Sequence, residues 1–483
     1  MKNRNNWIVG KEVMYSYVLM NKTKPLFSFL MDDTGRYVDK ILDVFEVEAL
    51  PVGIHIFNGI PDKSEINKWW QRRTIPAGRK GLQGALQELE ISSQYELAQK
   101  SFGLSLSDQY WINPEGKLKW EDINFFENKF SDYVGNVLYG QNSIETERDL
   151  LSPCNTSEGN LVKKWIWRDE KQLLVKGGSV FFQEPYNEAL ASALHRRLGL
   201  FPYVDYSVEI ENNMPCSICE NFVTKHTELV PAYSFLDIEK KPNDISYYQH
   251  LLQLGMQEKI ERMQEYLDYM LVTDYIIANT DRHYYNFGFI RNVDSLSWEG
   301  IAPIYDSGNS LYYDKSDARI NVTEDVPSMP FKKYHSEQIK MVSSFDNIDF
   351  SKLTGLDEEF REILRPSIDI GEQRKGILCQ CLKERISMAE AEQTREKSAV
   401  FISRDACENI FQEAGFRPTD TLISNMQKLN IALGRETTLR EIKELRKNKE
   451  QLPGKAKYYV EAIAKECAAQ EMVIQERSLD IEP

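Results

Sequence analysis

Three oxygen-bearing side chains in the second half of the sequence have the types and spacing that phosphoryl transfer requires. Asp281 and Asn286 lie five residues apart in Ala278-Asn-Thr-Asp-Arg-His-Tyr-Tyr-Asn-Phe-Gly-Phe-Ile290, and Asp306 follows in Ile301-Ala-Pro-Ile-Tyr-Asp-Ser-Gly308. Such transfer needs a carboxylate that accepts the proton of the incoming hydroxyl, and oxygen ligands for the cation that neutralises the phosphates. The spacing therefore predicts Asp281 as the base and Asn286 with Asp306 as ligands of Mg²⁺.

His283 lies between Asp281 and Asn286, and we group it with Asp281 in the predicted catalytic loop. We expect its ring to hydrogen-bond the backbone and hold the shape of the loop, rather than to serve as the general base. For Asp281 or Asp306 taken alone, capping a turn or opening a loop is the more common role. The order of helix, polar loop, hairpin and three oxygen donors favours the catalytic interpretation.

A second pair of charged residues has the spacing of a nucleotide-orienting ion pair. Lys176 ends the strand-like run Gln172-Leu-Leu-Val-Lys176, and Glu188 lies twelve residues further on, in the first turn of a predicted helix. Kinases use a strand lysine, held by a helix glutamate, to contact the α and β phosphates. The alternative is two unrelated surface residues; the oxygen donors downstream favour the nucleotide-binding role.

Turn-forming residues fill the segment Ser152-Pro-Cys-Asn-Thr-Ser-Glu-Gly-Asn160, upstream of that strand. Its backbone amides, around Ser157 and Gly159, could cover phosphates. Hairpin loops in general look similar, and the sequence contains neither G-x-G-x-x-G nor G-x-x-x-x-G-K-[ST].

The three oxygen donors must be positioned by a helix and a hairpin. Apolar residues repeat on one face from Glu258 to Ala278, which predicts a buried helix ending just before the catalytic loop. Two short strands are expected next, at 287–291 and at 301–305. If they pair as a hairpin, Asn286 falls opposite Asp306, with a register that could slip by two residues.

The pattern along the chain indicates an α+β protein with a two-lobed, kinase-like core. Strand signals dominate the region before this core helix, apart from one helix from Pro185 to Leu198, and helical signals dominate after it. We expect four regions: 1–148, an N-terminal α+β subdomain; 149–235, a nucleotide-binding N-lobe; 236–390, a C-lobe with the catalytic loop and metal site; and 391–483, a helical C-terminal extension.

Composition and charge predict which ligands are disfavoured, where the protein is located and whether its cysteines form disulfides. The formal net charge of −15 disfavours direct nucleic-acid binding, since a phosphate backbone would be repelled. The sequence shows no signal-peptide pattern and no apolar run long enough for a membrane span, which predicts a cytoplasmic protein without membrane contact. Seven cysteines are an odd number, and Cys216 and Cys219 lack a second pair that would complete a zinc site, so free thiols are expected.

Over residues 150–390 the sequence resembles the HipA-like serine/threonine kinases. The resemblance rests on D-R-H-x-x-N at Asp281–Asn286, on Pro303-Ile-Tyr-Asp306, on the Lys176 strand and on Asn187-Glu188. It implies a catalytic Asp281, magnesium at Asn286 and Asp306, and an ATP contact from Lys176. It also implies a protein substrate with a Ser or Thr acceptor and, as in toxin–antitoxin systems, an antitoxin or other regulatory protein partner.

The same resemblance suggests two further features. The segment Cys219-Glu-Asn-Phe222 looks like the hinge that holds adenine, which implicates Glu220 and Phe222. Family members autophosphorylate a serine in the phosphate-covering loop, and the candidates here are Ser157 and Thr156, although this loop departs from the family's G-x-Q-x-K pattern. The region from Trp69 to Arg79 looks like a divergent form of the small domain that precedes the kinase core.

Two other interpretations remain open at this point. Phosphoinositide kinases carry a similar D-R-H-x-x-N motif followed by an Asp-containing turn, but the sequence shows no basic amphipathic surface for a membrane near the core. A catalytically inactive binding module could also retain the fold; the presence of all three oxygen donors and of a candidate lysine argues against it.

Overall fold

The computed structural model describes residues 7–9, 12–141, 149–179, 181–400, 403–433, 437–449, 452 and 456–479. The chain divides into two compact units, residues 1–386 and residues 387–483. The first unit contains every residue assigned above to the predicted site.

The N-terminal part of the first unit is an antiparallel sheet with helices packed on it. Its sheet has the order β1-β2-β3-β4, and β7 pairs with β2. Residues Leu26 to Met31 are all buried, and the face formed by Phe27, Phe29 and Met31 packs in one cluster with Ile66 and Trp70. The elements are β1 (Trp7–Val9), β2 (Glu12–Asn21), β3 (Lys24–Met31), β4 (Val38–Val44), β5 (Ile56–Phe57), β6 (Ile60–Pro61), α1 (Lys63–Arg72), α2 (Leu82–Glu88), α3 (Gln94–Lys100), β7 (Tyr110–Pro114), α4 (Trp120–Ile123) and α5 (Tyr133–Leu138).

A four-stranded antiparallel sheet and one long helix follow. The sheet order is β10-β11-β9-β8. The helix is buried along most of its length and ends at Gly199, whose φ of 65° is the left-handed conformation that glycine adopts readily. This matches the predicted end at Leu198. The elements are β8 (Lys163–Arg168), β9 (Lys171–Gly177), α6 (Glu184–Leu198), β10 (Ser207–Glu211) and β11 (Met214–Glu220), preceded by a 3₁₀ turn at Pro153–Thr156.

The remainder of the first unit is mainly helical around a small sheet with the order β12-β13-β14. The elements are β12 (Thr227–Pro231), α7 (Ala232–Leu236), α8 (Tyr247–Gln257), α9 (Met263–Ile277), β13 (Gly288–Asn292), β14 (Trp298–Ile301), α10 (His335–Gln338), α11 (Leu356–Leu364) and α12 (Glu372–Val400), with short 3₁₀ turns at Asp317–Arg319, Ile339–Met341 and Phe350–Leu353.

Three details of this part differ from the sequence-based expectation. The second strand of the hairpin is Trp298–Ile301 rather than 301–305. The buried helix begins at Met263 rather than Glu258, because Lys259 and Arg262 adopt positive φ values of 57° and 56° and break the helix. In the hairpin, Phe289 pairs with Ile301, a register that places Asn286 level with Ile304. This is the two-residue slip anticipated for the pairing with Asp306.

The second unit is a helical bundle without strands among its described residues. Its core contains Phe411, Leu422, Met426, Leu429, Val460 and Ile463. Thr438 caps α15 through a reciprocal capping box with Glu441. The helices are α13 (Arg404–Glu413), α14 (Asp420–Leu433), α15 (Leu439–Lys447) and α16 (Ala456–Leu479).

The mixed helix and sheet architecture confirms the α+β prediction. The four region boundaries stay predictions: the first adjoins residues 142–148, which lie outside the described residues, and the last falls inside α12. None of the described helices contains an apolar stretch long enough to cross a bilayer. The seven cysteines, which all lie within the described residues, form no disulfide, and six of them are buried.

Candidate active site

All ten residues selected from the sequence line one cleft in the first unit, with a volume of about 1340 Å³. Its walls come from the N-terminal region, from the β8–β11 sheet with α6, and from the loops around β13 and β14. The ten residues are Ser157, Gly159, Lys176, Glu188, Glu220, Phe222, Asp281, His283, Asn286 and Asp306.

Lys176, Glu188 and Asp306 form an ion network in this cleft, in which Lys176 and Glu188 are buried and the side chain of Asp306 is 36% exposed. The ammonium of Lys176 contacts the Oε1 atom of Glu188 and the Oδ1 atom of Asp306. The second carboxylate oxygen of Glu188 accepts the backbone N–H of Ser307 at 2.9 Å. Helix α6 therefore holds both the strand lysine and the segment that carries Asp306.

The charges in this network perturb one another. Burial alone would raise the pKa of Asp306, but the positive charges of Lys176 and Lys163 outweigh burial and hold that pKa well below its usual range. Burial raises the pKa of Glu188, and Lys176 opposes that shift. Asp306 is therefore an ionised carboxylate beside two ammonium groups.

Asp281 lies at the start of a loop that follows α9. Its backbone N–H donates to Oδ1 of Asn279 at 3.0 Å, and its Oδ2 accepts from the Nδ2 of Asn309 at 2.8 Å. Burial raises the pKa of Asp281; His283 lowers it and Asp306 raises it further. Asn279 thus holds the backbone of Asp281, Asn309 holds its carboxylate, and that carboxylate is more basic than that of an ordinary aspartate.

The rest of the loop folds around Asn286. Its Nδ2 donates to the backbone carbonyl of Asp281 at 2.8 Å, which leaves the Oδ1 atom as the ligand-type oxygen of this side chain. His283 accepts the backbone N–H of Tyr285 at its Nδ1, 3.2 Å away, while its Nε2 is 3.8 Å from Oδ1 of Asp281. The ring thus makes the backbone contact expected of a residue that shapes the loop.

Arg282 ties this loop to the Asp306 segment, a role that the sequence did not reveal. Its side chain is fully buried and makes a two-pronged ion pair with Asp274 of α9, at 2.9 and 3.0 Å. The same guanidinium donates to the carbonyls of Asn286 and Tyr305, at 2.6 and 2.5 Å. One arginine therefore joins α9, the loop that carries Asp281 and Asn286, and the segment after β14 that carries Asp306.

An apolar compartment adjoins the ion network beside the segment 219–222. The ring of Phe222 lies 5.8 Å from that of Tyr305, and both pack in one cluster with Val204, Tyr206 and Cys219. The side chain of Glu220 is exposed and pairs with Lys171. The carboxylate of Glu220 is therefore engaged by a lysine of the neighbouring strand β9.

The turn-rich segment 152–160 reaches the cleft at its end. Thr156 and Ser157 are buried, and their hydroxyls donate to the carbonyls of Leu104 and Cys154 at 2.7 and 2.9 Å. Gly159 has a φ of 85°, a conformation that a side chain would strain.

Lys163 is a cleft residue that sequence reasoning missed. It pairs directly opposite Lys176 across the β8–β9 hairpin, so both side chains extend from the same face of the sheet. Burial lowers the pKa of Lys163 to about 8, with a smaller opposing effect from Asp306. The register of the hairpin is the signal that would have found it.

The oxygen donors fit one kind of metal site. Among the described residues no three His, Cys, Asp or Glu side chains are grouped to hold a metal ion by themselves. The donors here are the Asp306 carboxylate and the Asn286 amide oxygen. Mg²⁺ is commonly held by one or two protein oxygens together with substrate phosphates, so the set suits magnesium shared with a nucleotide.

Comparison with known proteins gives matches to one group of kinases. Residues 159–371 match the family model of the HipA-like C-terminal domain. Over 100 residues the chain is 34% identical to the serine/threonine-protein kinase CtkA of Helicobacter pylori; this alignment covers 20% of the chain and only 30% of the relative.

Two solved structures are similar at low identity. The proinflammatory kinase CtkA of Helicobacter pylori matches with a TM-score of 0.39 and 22% identity, over 50% of this chain and 92% of that one. HipA of Shewanella oneidensis, solved in a toxin–antitoxin complex with HipB and operator DNA, matches with a TM-score of 0.45 and 13% identity, over 78% and 97%. The domain match therefore shows that residues 159–371 of the chain form a HipA-like C-terminal domain.

Proposed function

We propose that this protein is an ATP- and magnesium-dependent kinase that phosphorylates a serine or threonine hydroxyl of a protein. The proposal rests on one observation: an ion network and a polar loop, each with the residues that phosphoryl transfer requires, line the same cleft. Lys176, Glu188 and Asp306 form an ion network there, and Asp281 and Asn286 share the loop that Arg282 ties to Asp306. The apolar compartment beside Phe222 and Tyr305 lies in the same cleft.

Asp281 is the proposed base. Its carboxylate is held by Asn309, and its raised pKa favours acceptance of a proton from the acceptor hydroxyl as the hydroxyl oxygen attacks the γ-phosphate. The ADP leaving group departs from the opposite side of that phosphorus. His283 shapes the loop and needs no proton-transfer role.

Asn286 and Asp306 are the proposed magnesium ligands. When bound, Mg²⁺ would neutralise charge on the β and γ phosphates. The low pKa of Asp306 keeps this carboxylate ionised across the physiological range. Arg282 keeps the two ligand-bearing segments in register through its contacts with the Asn286 and Tyr305 carbonyls.

Lys176 and Lys163 are the proposed phosphate contacts. Glu188 directs Lys176, as in the strand-lysine and helix-glutamate pair of kinases. Lys163 adds a second positive charge from the neighbouring strand. The backbone of the segment Glu220–Phe222 is proposed to hold the adenine against the Phe222 and Tyr305 rings.

Autophosphorylation of Ser157 or Thr156 is part of this proposal. Both hydroxyls are buried and hydrogen-bonded to backbone carbonyls, so the segment must turn outward before either can be modified. We further propose a regulatory protein partner, because the HipA structure similar to this chain was solved with HipB. The net charge of −15 makes a direct contact of this chain with DNA unfavourable.

A labelling experiment separates this function from its alternatives. The purified chain is incubated with Mg²⁺ and γ-labelled ATP, with lipid vesicles containing phosphoinositides in one arm and a whole-cell protein extract in another. Label on proteins, with Ser or Thr phosphate found by mass spectrometry, supports the protein kinase. Label on lipid alone identifies a lipid kinase, and binding of Mg-ATP without transfer, or no binding, identifies an inactive module.

A further inference from the structure

A buried arginine from the N-terminal region holds the turn-rich loop of the cleft. Arg79 lies in a turn after α1, where its backbone N–H donates to the carbonyl of Pro76 at 2.9 Å. Its side chain is 3% exposed. This residue belongs to no part of the ion network described above, and it lies about 80 residues away in sequence from the loop that it contacts.

The contacts of Arg79 are concentrated on three consecutive peptide groups. Its Nε donates to the carbonyl of Gly159 at 2.9 Å, and its Nη2 donates to the carbonyls of Ser157 and Glu158 at 2.5 and 3.0 Å. Its Nη1 donates to the hydroxyl of Ser157 at 2.9 Å. Four hydrogen bonds from one guanidinium therefore fix the loop.

These contacts set the direction of the next three N–H groups. In a trans peptide the carbonyl of one residue and the N–H of the following residue point in opposite directions. Because the carbonyls of residues 157, 158 and 159 all point at Arg79, the N–H groups of Glu158, Gly159 and Asn160 point away from it. Within the described part of the chain, these three N–H groups donate no hydrogen bond.

The surroundings of these donors suit a polyanion. A Cβ atom at Gly159 would lie 2.9 Å from the amine of Lys163, so the loop runs beside the lysine that faces Lys176. Successive N–H groups pointing the same way form a concave site for anions. The loop, Lys163 and Lys176 line the same cleft.

We propose that Arg79 is a positioning residue for nucleotide phosphates: it orients the N–H groups of Glu158, Gly159 and Asn160 toward the phosphates of ATP. The inference rests on the proposed function, because it assigns these donors to the same nucleotide. It makes the N-terminal region part of the nucleotide site, through one side chain that itself touches no substrate atom.

The test compares ligands with and without phosphates. Calorimetry measures the binding of ATP and of adenosine to the full chain and to its Arg79→Lys and Arg79→Met variants, each first checked for folding by circular dichroism. We expect ATP affinity to fall about tenfold or more in Arg79→Met and less in Arg79→Lys, with adenosine affinity unchanged. The matched control is Arg291→Lys, which alters another buried arginine that joins the N-terminal region to the core, through Tyr110 and Glu228.

Each contrary result has a distinct meaning. Unchanged ATP affinity in folded Arg79→Lys and Arg79→Met overturns the inference, and so does an equal loss for ATP and adenosine, which would indicate a structural role only. If the wild type binds adenosine but gains nothing from the phosphates, the inference also fails. If the wild type binds neither ligand, the proposed function itself is wrong.

Hydrogen exchange provides a second test. It uses the wild type and Arg79→Lys, so it does not depend on the yield of the Arg79→Met variant. In the wild type, ATP is expected to protect the amides of residues 158–160 from exchange, whereas adenosine is not. In Arg79→Lys the protection by ATP should be smaller. Equal protection in both proteins would contradict the role of Arg79.

Discussion

Glu188 accepts the backbone N–H of Ser307 at 2.9 Å while its other carboxylate oxygen contacts Lys176. The strand lysine and the segment carrying Asp306 thus share one anchor on α6. Asn187 extends this anchor, since its Nδ2 donates to the carbonyls of Gly308 and Ser310 at 2.9 and 2.7 Å. Asn187 and Glu188, two neighbouring residues of α6, therefore hold Lys176 and the segment 306–310 in fixed positions relative to each other.

Replacing Glu188 tests this coupling. Glu188→Ala leaves the Ser307 N–H without its partner and Lys176 paired with Asp306 alone, so we expect kcat/KM for ATP to fall by about 100-fold or more. Steady-state kinetics of phosphoryl transfer measures the change. Glu209→Ala is the control, because Glu209 pairs with Arg168 in a half-exposed position and its loss should leave kcat/KM unchanged. Wild-type kinetics in Glu188→Ala would show that the anchor is dispensable.

Arg282 is predicted to matter for stability as well as activity. Arg282→Met leaves Asp274 as a buried carboxylate without its cation and frees the Asn286 and Tyr305 carbonyls. We expect a loss of about 3–5 kcal/mol in the free energy of unfolding, seen as a lower denaturant midpoint of the unit spanning residues 1–386. Arg168→Met should change that midpoint little, since its ion pair is not buried. Equal denaturant midpoints for Arg282→Met and Arg168→Met would contradict the stabilising role of Arg282.

The raised pKa of Asp281 predicts a shift in the acidic limb of the pH profile. The base must be unprotonated to accept a proton, so kcat falls as the pH drops through the pKa of Asp281. Because burial raises this pKa, the fall should begin at a higher pH than for an ordinary aspartate, whose pKa is about 3.9. The measurement is kcat at saturating Mg-ATP, with ATP binding measured in parallel. A kcat that stays flat to below about pH 4 would argue against Asp281 as the base.

The lowered pKa of Lys163 predicts that the affinity for ATP falls at alkaline pH. Below a pH of about 8 its amine is protonated and attracts phosphates; above that pH the charge is lost. ATP affinity should therefore fall by up to about tenfold between about pH 7 and about pH 9. Lys163→Arg should remove this dependence, because the guanidinium stays charged. Adenosine affinity should not vary over the same range, and a parallel decline for adenosine would point to another cause.

Much of the cleft could be predicted because local signals marked it. Pro185 and Gly199 fixed the extent of α6 and so placed Glu188 in its first turns. The polar loop after α9 stood out against an apolar helix, which located Asp281 and Asn286. The predicted hairpin placed Asp306 near Asn286, although β14 ends at Ile301 and not at residue 305 as the sequence predicted.

The residues that were missed act through contacts distant in sequence. Arg282 pairs with Asp274, Asn309 reaches Asp281 across 28 residues, and Arg79 reaches Gly159 across 80. No periodicity encodes such pairs, because they depend on how separate elements pack. The predicted start of α9 was wrong for a different reason: Ile260 fits the apolar repeat of the helix, whereas the backbone around it is left-handed at Lys259 and Arg262.

The most direct test of the account is phosphoryl transfer by the Asp281→Asn variant, measured together with Mg-ATP binding. Intact-mass spectrometry and radiolabelling follow transfer, and calorimetry follows binding, for the variant and the wild type. The account predicts that the wild type transfers phosphate and that Asp281→Asn binds Mg-ATP with near wild-type affinity while transfer falls by about 100-fold or more. Transfer by Asp281→Asn at the wild-type rate would contradict it.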